Sequence, residues 1–126
     1  MIFGIGIDIV EIPRIAASIQ ELGDRFLQRI FTLSEREYCS RYQNPTPHFA
    51  ARFAAKEAIA KALGTGLGKD VSWLDLEIRR TEQGAPYLHI SGNAAAFCEK
   101  NGIGEIKITL THTSEYAAAN AVAIWK

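Results

Sequence analysis

The sequence has few of the features that mark secreted, membrane or metal-cluster proteins. It has only two cysteines, Cys39 and Cys98, whose spacing is not that of a metal site, so buried thiols are a simpler interpretation than a disulfide. No apolar run reaches the roughly 18–20 residues that span a bilayer. No basic segment with a cleavage site precedes the first apolar residues, so we predict no signal peptide. These absences favour a cytoplasmic protein without a membrane span.

The chain also lacks a net charge, because 14 Lys and Arg residues balance 14 Asp and Glu residues. This balance argues against a broad nucleic-acid-binding surface. The charge is unevenly distributed, however. The segment from Arg25 to Lys61 contains seven basic and three acidic residues, a local charge of +4. Such a segment would attract an anionic ligand or partner, although solvated helix faces explain it equally well when charge is considered alone.

The 126 residues are enough for one domain with its own core, and the pattern predicts a single α+β domain over residues 1–126. We expect an antiparallel sheet packed against one long helix and several short ones. The predicted helices are 13–22, 34–42, 46–63 and 91–101. The predicted strands are 2–10, 74–81, 87–90, 106–113 and 116–125. Alternate positions of the last strand are alanines, against which another element could pack closely.

The two faces of the first predicted strand differ. One face is uniformly bulky and should pack on the core; its members are Phe3, Ile5, Ile7 and Ile9. The other face carries Gly4 and Gly6 beside Asp8. Glycine in a strand commonly marks the close approach of another backbone or of a ligand. Asp8 itself either caps the following turn or contributes to a site, and the pattern leaves both open.

The long predicted helix places four charges on or beside its buried face. Its apolar stripe at about 100° per residue is Phe49, Phe53, Ala60 and Leu63. Lys56 lies within that stripe, Arg52 lies one turn before it, and Glu57 meets Lys61 at the i, i+4 spacing. A solvated ion pair and a snorkelling lysine explain these charges one at a time. Because desolvating all four is costly, a polyanionic ligand held with a divalent cation explains them better together.

Asp8 and Glu57 together could hold one hard cation. Magnesium typically takes one or two carboxylates and completes its shell with water and phosphate oxygens. Zinc fits less well, because the three histidines are scattered and neither cysteine has a nearby partner. His112 ends a strand with an apolar inward face, so it is either a structural histidine or a ligand contact.

Two long segments resemble the signatures of the holo-acyl-carrier-protein synthases, within the 4′-phosphopantetheinyl transferase family. Residues 4–15, GIGIDIVEIPRI, resemble the opening signature, and residues 52–66, RFAAKEAIAKALGTG, resemble the central one. Shorter matches at 73–75, 84–86 and 111–113 fall in the family's order. The resemblance therefore covers nearly the whole chain.

The resemblance implies the 4′-phosphopantetheinyl transferase fold and a defined reaction. The family transfers 4′-phosphopantetheine from coenzyme A to a serine of an acyl carrier protein and releases adenosine 3′,5′-bisphosphate. It also implies Mg²⁺ dependence, a role in fatty acid biosynthesis, and a homotrimer with active sites between subunits. The residues carried over are Asp8 and Glu57 as metal ligands; Arg52, Lys56 and His112 as phosphate contacts; and Gly66, Pro86 and Thr113 as parts of the nucleotide pocket.

By the same resemblance, catalysis rests on positioning and charge neutralisation. Asp8 acts as a catalytic residue by holding the metal. Lys61 is expected to stabilise or protonate the leaving phosphate. Glu57 is expected to be the general base, either directly or through a water on the metal.

Acyl carrier proteins are acidic, so we expect a basic docking surface at Arg14, Arg25 and Arg29. Residues 15–24 contain no basic side chain, whereas the docking helix of this family often carries more. Two other functions are consistent with the same residues. One is a non-catalytic subunit that binds coenzyme A or a nucleotide, and the other is an oligomerisation domain whose helix charges pair between subunits.

Overall fold

The structure, a computed structural model, describes residues 1–126 and contains five strands, five α-helices and one 3₁₀ turn at Trp73–Asp75. The helices are α1 (Ile12–Leu22), α2 (Asp24–Ile30), α3 (Leu33–Ser40), α4 (Thr46–Leu63) and α5 (Gly92–Lys100). The strands are β1 (Ile2–Glu11), β2 (Leu76–Arg80), β3 (Pro86–Ile90), β4 (Ile103–His112) and β5 (Tyr116–Trp125). The predicted α+β fold, with one long helix and several short ones, is confirmed.

The strands form two antiparallel sheets, one with the order β1–β5–β4 and the other consisting of the β2–β3 hairpin. Helix α4 packs on one face of the three-stranded sheet, in a core that includes Ala54, Ala58 and Ala62 of the helix. The predicted alanine face of β5 is confirmed as buried; its members are Ala117, Ala119, Ala121 and Ala123. Small side chains on both surfaces allow the helix and the sheet to lie close together.

The glycine face of β1 brings the backbones of β1 and α4 into contact. A Cβ atom at Gly6 would collide with the carbonyl oxygen of Ala58, and one at Gly4 would collide with the carbonyl oxygen of Ala62. The prediction that these glycines mark a close backbone approach is confirmed. Asp8 follows on the same face of the strand, so its side chain extends toward the helix.

The prediction for the bulky face of β1 is wrong. Ile5, Ile7 and Ile9 are 64–68% exposed rather than packed on the core. Because α4 requires the glycine face, the alternation of the strand turns the isoleucines to the opposite side of the sheet. Only Phe3 of this set is partly covered, by an edge-to-face contact with Trp125 whose ring centroids are 4.7 Å apart.

The bounds of α4 are those predicted, and Gly64 ends the helix in the left-handed conformation at φ 78°. The bounds of α3 differ, because its capping box joins Thr32 and Glu35 rather than starting at Ser34. Helix α2 was not predicted. It is only seven residues long, and the tertiary structure rather than local periodicity maintains it.

Both cysteines are buried free thiols, as predicted. Burial raises the pKa of the Cys39 thiol to about 11, so this thiol is unreactive at neutral pH. None of the helices combines the length and the hydropathy required to cross a bilayer.

The backbone contact at Gly6 gives a direct test of the fold. Gly6→Ala should lower the free energy of unfolding by about 1–3 kcal/mol or more, because the added methyl group has to displace α4. Urea unfolding followed by circular dichroism measures this change. Gly68→Ala is the matched control, since no atom lies within 4 Å of the position that its added Cβ would take. Equal stability of the two variants would contradict the proposed packing constraint.

Candidate active site

Asp8 and Lys61 form an ion pair at the interface of β1 and α4. The Lys61 Nζ lies 3.0 Å from Asp8 Oδ1 and also donates to the backbone carbonyl of Ile7 at 3.0 Å. The i, i+4 spacing predicted that Lys61 would pair with Glu57, but no such ion pair forms. Lys61 reaches across to the strand instead, because the glycine face of β1 brings Asp8 so close to the helix.

Glu57 lies beside this ion pair. Burial raises the pKa of its carboxyl group, the negative charge of Asp8 raises it further, and the charge of Lys61 partly opposes both effects. The two carboxylates are therefore close enough to repel one another. The structure brings together Asp8, Glu57 and Lys61, which we call the acidic cluster.

The acidic cluster has the chemistry of a hard divalent cation site. Asp8 Oδ2 is buried and has no hydrogen-bond partner, and a second carboxylate stands nearby. No group of three or more His, Cys, Asp or Glu side chains suited to a metal forms anywhere in the chain. The protein would therefore supply two carboxylates only, as is common for Mg²⁺ in sites where substrate phosphates complete the shell.

Arg52 belongs to a second group of charges, on another side of α4. Its guanidinium carbon lies 4.3 Å from the centroid of the Tyr38 ring, and Arg41 and Arg80 each place a guanidinium carbon 6.0 Å from the same centroid. Arg52 is 1% exposed. Its Nη1 donates to the carbonyl of His48 at 3.3 Å, while its Nε has no partner.

These three arginines line a cleft of about 430 Å³ between α3, α4 and the β2–β3 hairpin, which we call the arginine cleft. Its wall also includes Tyr87 and one carboxylate, Glu37. Burial alone would raise the pKa of Tyr38. A hydrogen bond from Tyr42 and the charges of Arg80 and Arg52 outweigh burial and lower it. The positive field of this cleft suits a phosphate or another anion.

His112 is exposed at the end of β4, and its ring centroid lies 5.4 Å from that of His48. Tyr42 stacks on His48, at 3.5 Å between ring centroids. Burial lowers the pKa of His48, and the nearby charges of His112, Arg52 and Arg80 lower it further. His48 was not among the predicted site residues, although its i, i+4 spacing to Arg52 was visible in the sequence.

The structure corrects the role expected for Lys56. The side chain is completely buried and donates to Glu35 Oε1 at 2.7 Å and to the carbonyls of Ile30 and Trp73 at 2.7 and 3.1 Å. An ammonium group has three protons, so none remains for a phosphate. Lys56 is enclosed because other segments of the chain pack around α4 on nearly every side at the helical turn that carries this residue.

The remaining predicted residues lie at turns or on the surface. Gly66 has a left-handed φ of 65° in the turn after α4. Pro86 begins β3 opposite Arg80. The Thr113 hydroxyl accepts hydrogen bonds from the backbone N–H groups of residues 115 and 116, and so stabilises the β4–β5 turn. The predicted docking arginines, Arg14, Arg25 and Arg29, are all exposed.

Arg14 lies at a further cleft, of about 490 Å³, which we call the apolar cleft. Its wall includes Ile9, Ile15, Phe26 and Phe53. It lies where the end of β1 meets α1 and α2, and Arg14 is the predicted docking residue in its wall. The wall also carries Glu11, so the cleft combines an apolar surface with one basic and one acidic group, which suits a protein partner that carries both apolar and charged side chains.

The acidic cluster and the arginine cleft lie on different sides of α4. Glu57 and Arg52 are five residues apart, which separates them by about 140° around the helix axis. Asp8 and His112 lie on the outer strands β1 and β4, with β5 between them, so their strands are about 10 Å apart. One chain therefore presents the predicted site residues as two groups.

Comparison with known proteins identifies the family. A family model described as the 4′-phosphopantetheinyl transferase superfamily matches residues 4–121. The chain belongs to this superfamily. It is 48% identical to a holo-[acyl-carrier-protein] synthase of Koribacter versatilis, over 97% of this chain and 98% of that protein.

Solved structures agree with this assignment. The crystal structure of the holo-[acyl-carrier-protein] synthase of Neisseria meningitidis superposes with a TM-score of 0.92, at 34% identity and over 98% of both chains. The synthase of Helicobacter pylori, solved in complex with coenzyme A, gives a TM-score of 0.85 at 33% identity, over 94% of this chain and 98% of that one. The phosphopantetheinyl transferase fold implied by the sequence signatures is confirmed.

Proposed function

We propose that this chain transfers 4′-phosphopantetheine from coenzyme A to a serine of an apo-acyl carrier protein, giving the holo-carrier protein and adenosine 3′,5′-bisphosphate. The observation that carries the proposal is the acidic cluster, in which Asp8 pairs with Lys61 at a helix–strand contact and Asp8 Oδ2 remains buried without a partner, while the charge of Asp8 raises the pKa of the nearby Glu57. The full-length similarity to holo-[acyl-carrier-protein] synthases supports the choice of substrates.

In this proposal, Asp8 and Glu57 hold Mg²⁺, which when bound supplies positive charge to the diphosphate of coenzyme A. The serine oxygen of the carrier forms a bond to the β-phosphorus, and the bond from that phosphorus to the oxygen of the bisphosphate breaks. Glu57, directly or through a water on the metal, is the candidate acceptor of the serine proton. Lys61 stabilises or protonates the departing phosphate.

The arginine cleft and His112 are the proposed contacts for the phosphates of coenzyme A. Arg52 has a buried Nε without a partner, and Arg41 and Arg80 add two further guanidinium groups. Pro86 lies opposite Arg80 in the hairpin, which supports a place for it beside the nucleotide. Gly66 and Thr113 remain proposed parts of the same pocket by resemblance, whereas Lys56 does not belong to the set.

We also propose a homotrimer whose active sites lie between subunits. The stripe of Ile5, Ile7 and Ile9 is about two-thirds exposed, and such a contiguous apolar stripe commonly marks a protein interface. Ile5 and Ile7 share a shallow cleft with Lys61, so a subunit that covers the stripe would bring its own residues beside the acidic cluster. One coenzyme A could then contact the acidic cluster of one subunit and the arginine cleft of the next.

Ile7→Lys should disrupt this assembly, because it places a charge in the middle of the apolar stripe. Size-exclusion chromatography with light scattering should show a monomer with strongly reduced transfer activity. Leu33→Lys, at a similarly exposed leucine on α3, should leave the assembly unchanged. A wild-type protein that is already monomeric and active would refute the intersubunit site.

The proposed docking surface for the carrier protein combines Arg14, Arg25 and Arg29 with the apolar cleft. The arginines would attract the acidic carrier, and the cleft wall, which includes Phe26 and Phe53, would accept an apolar side chain. Charge complementarity of this kind mainly raises the association rate. By resemblance, the reaction takes place in the cytoplasm and serves fatty acid synthesis.

The double substitution Arg14→Ala with Arg25→Ala should raise the KM for the carrier about fivefold at low salt. The difference from the wild type should narrow as salt screens the charges. Coenzyme A binding, measured by calorimetry, should not change. Lys100→Ala on α5 removes an exposed cation elsewhere and serves as the control. An unchanged carrier KM at low salt would exclude these arginines from docking.

The decisive experiment incubates the chain with coenzyme A, Mg²⁺ and an apo-acyl carrier protein, and then weighs the intact carrier by mass spectrometry. The carrier should gain one phosphopantetheine group. Glu57→Gln should abolish the gain, and Asp8→Asn should abolish it or make it require far more Mg²⁺. Asp70→Asn, which removes an exposed carboxylate elsewhere, should behave like the wild type.

The carrier mass and a thermal melt together separate the proposed enzyme from its two rivals. A non-catalytic subunit would bind coenzyme A without changing the mass of the carrier. An oligomerisation domain would show no rise in melting temperature with Mg²⁺ and coenzyme A, whereas a specific ligand stabilises the native state by mass action.

A further inference from the structure

Lys56 and Glu35 form the central ion pair of a buried network. The two side chains are completely buried and meet at 2.7 Å. The remaining protons of Lys56 go to the backbone carbonyls of Ile30, at the end of α2, and Trp73, in the 3₁₀ turn. The ammonium therefore joins α4 to three other segments of the chain.

Glu35 extends the network to one more segment and also caps its own helix. Its Oε1 also accepts the backbone N–H of Thr32 at 2.9 Å, and its Oε2 accepts the backbone N–H of Ile78 at 2.8 Å. The first bond caps α3, and the second ties strand β2 to the core. A completely buried ion pair is expected only where its remaining protons and lone pairs also form hydrogen bonds, and both side chains meet that condition here.

Three of the segments joined by this pair, α3, α4 and β2, are walls of the arginine cleft. Tyr38 lies on α3 and Arg41 directly follows that helix, whereas Arg80 lies on β2 and Arg52 on α4, one turn before Lys56. The three guanidinium groups converge on one tyrosine ring, so their relative positions depend on how the elements that carry them are held together. Glu35 is the only completely buried carboxylate in the chain, and it lies beneath them.

We infer that Lys56 and Glu35 are positioning residues that fix the arginine cleft in the shape that receives a phosphate of coenzyme A. This inference rests on the proposed function. The acidic cluster shares no hydrogen bond with the network, so the pair governs the binding of coenzyme A and leaves metal use and carrier docking unaffected.

The test compares steady-state kinetics of Lys56→Met with those of the wild type. The KM for coenzyme A should rise about tenfold, the scale of losing one hydrogen bond between an arginine of the cleft and a phosphate. The KM for the carrier and the Mg²⁺ concentration at half-maximal activity should each stay within about twofold. Ile59→Ala removes a buried side chain from the same helix without touching the network. It should lower the melting temperature and leave all three constants unchanged.

Lys56→Met leaves the Glu35 carboxylate buried without its partner, which can prevent folding. The double variant Lys56→Met with Glu35→Gln removes both charges and keeps an acceptor for the Ile78 N–H. The double variant should recover stability while its KM for coenzyme A stays raised. If the pair had a purely structural role, the KM would return to the wild-type value together with the stability. Failure of both variants to fold would assign the pair to stability alone and overturn the inference.

Other outcomes are equally informative. A folded Lys56→Met enzyme with an unchanged KM for coenzyme A overturns this inference but not the proposed function. The same holds if the variant binds coenzyme A normally and requires more Mg²⁺. A wild-type chain that neither binds coenzyme A nor modifies the carrier overturns the proposed function, and the inference with it.

Discussion

The architecture depends on one steric constraint, the backbone contact between the glycine face of β1 and helix α4. Without Cβ atoms at Gly4 and Gly6, the carbonyls of Ala58 and Ala62 lie directly against the strand. This contact determines which face of β1 is buried and brings Asp8 within reach of Lys61 and Glu57. The same glycines that pack the core therefore also assemble the acidic cluster.

Much of the fold and part of the site were predictable from local patterns. Helix α4 ends at Gly64, as the sequence predicted. Asp8 and Glu57 are conspicuous in the sequence because carboxylates beside glycine and alanine faces are unusual. Side-chain size did not predict which face of β1 is buried. A helix whose backbone contacts the backbone of the strand excludes large side chains from the face between them. The arginine cleft depends on contacts among α3, α4 and β2. These elements are distant in sequence, so no periodic pattern within one segment indicates that they meet.

Helix α4 shows how one signature can combine residues with different tasks. Lys56 and Glu57 are neighbours in the chain, yet Lys56 is completely buried in a hydrogen-bonded network and Glu57 is a proposed metal ligand. A turn earlier, Arg52 faces the arginine cleft. Different segments of the chain cover α4 on its different sides, so each of its charged side chains has a different environment. The residue type alone does not indicate which environment a given side chain has.

The β2–β3 hairpin stands apart from the three-stranded sheet, and its N-terminal strand is tied to α3 by the Ile78 N–H to Glu35 bond and by the Thr32 hydroxyl, which donates to Glu77 at 2.6 Å. Its turn at residues 81–85 projects into solvent without contact to the carboxylates on β1 and α4. Within that turn, the carbonyl of Gly84 accepts a hydrogen bond from Arg80 Nη1 at 2.6 Å, so the turn helps to position one arginine of the arginine cleft. A change in the hairpin turn would therefore reshape the arginine cleft and leave the acidic cluster in place.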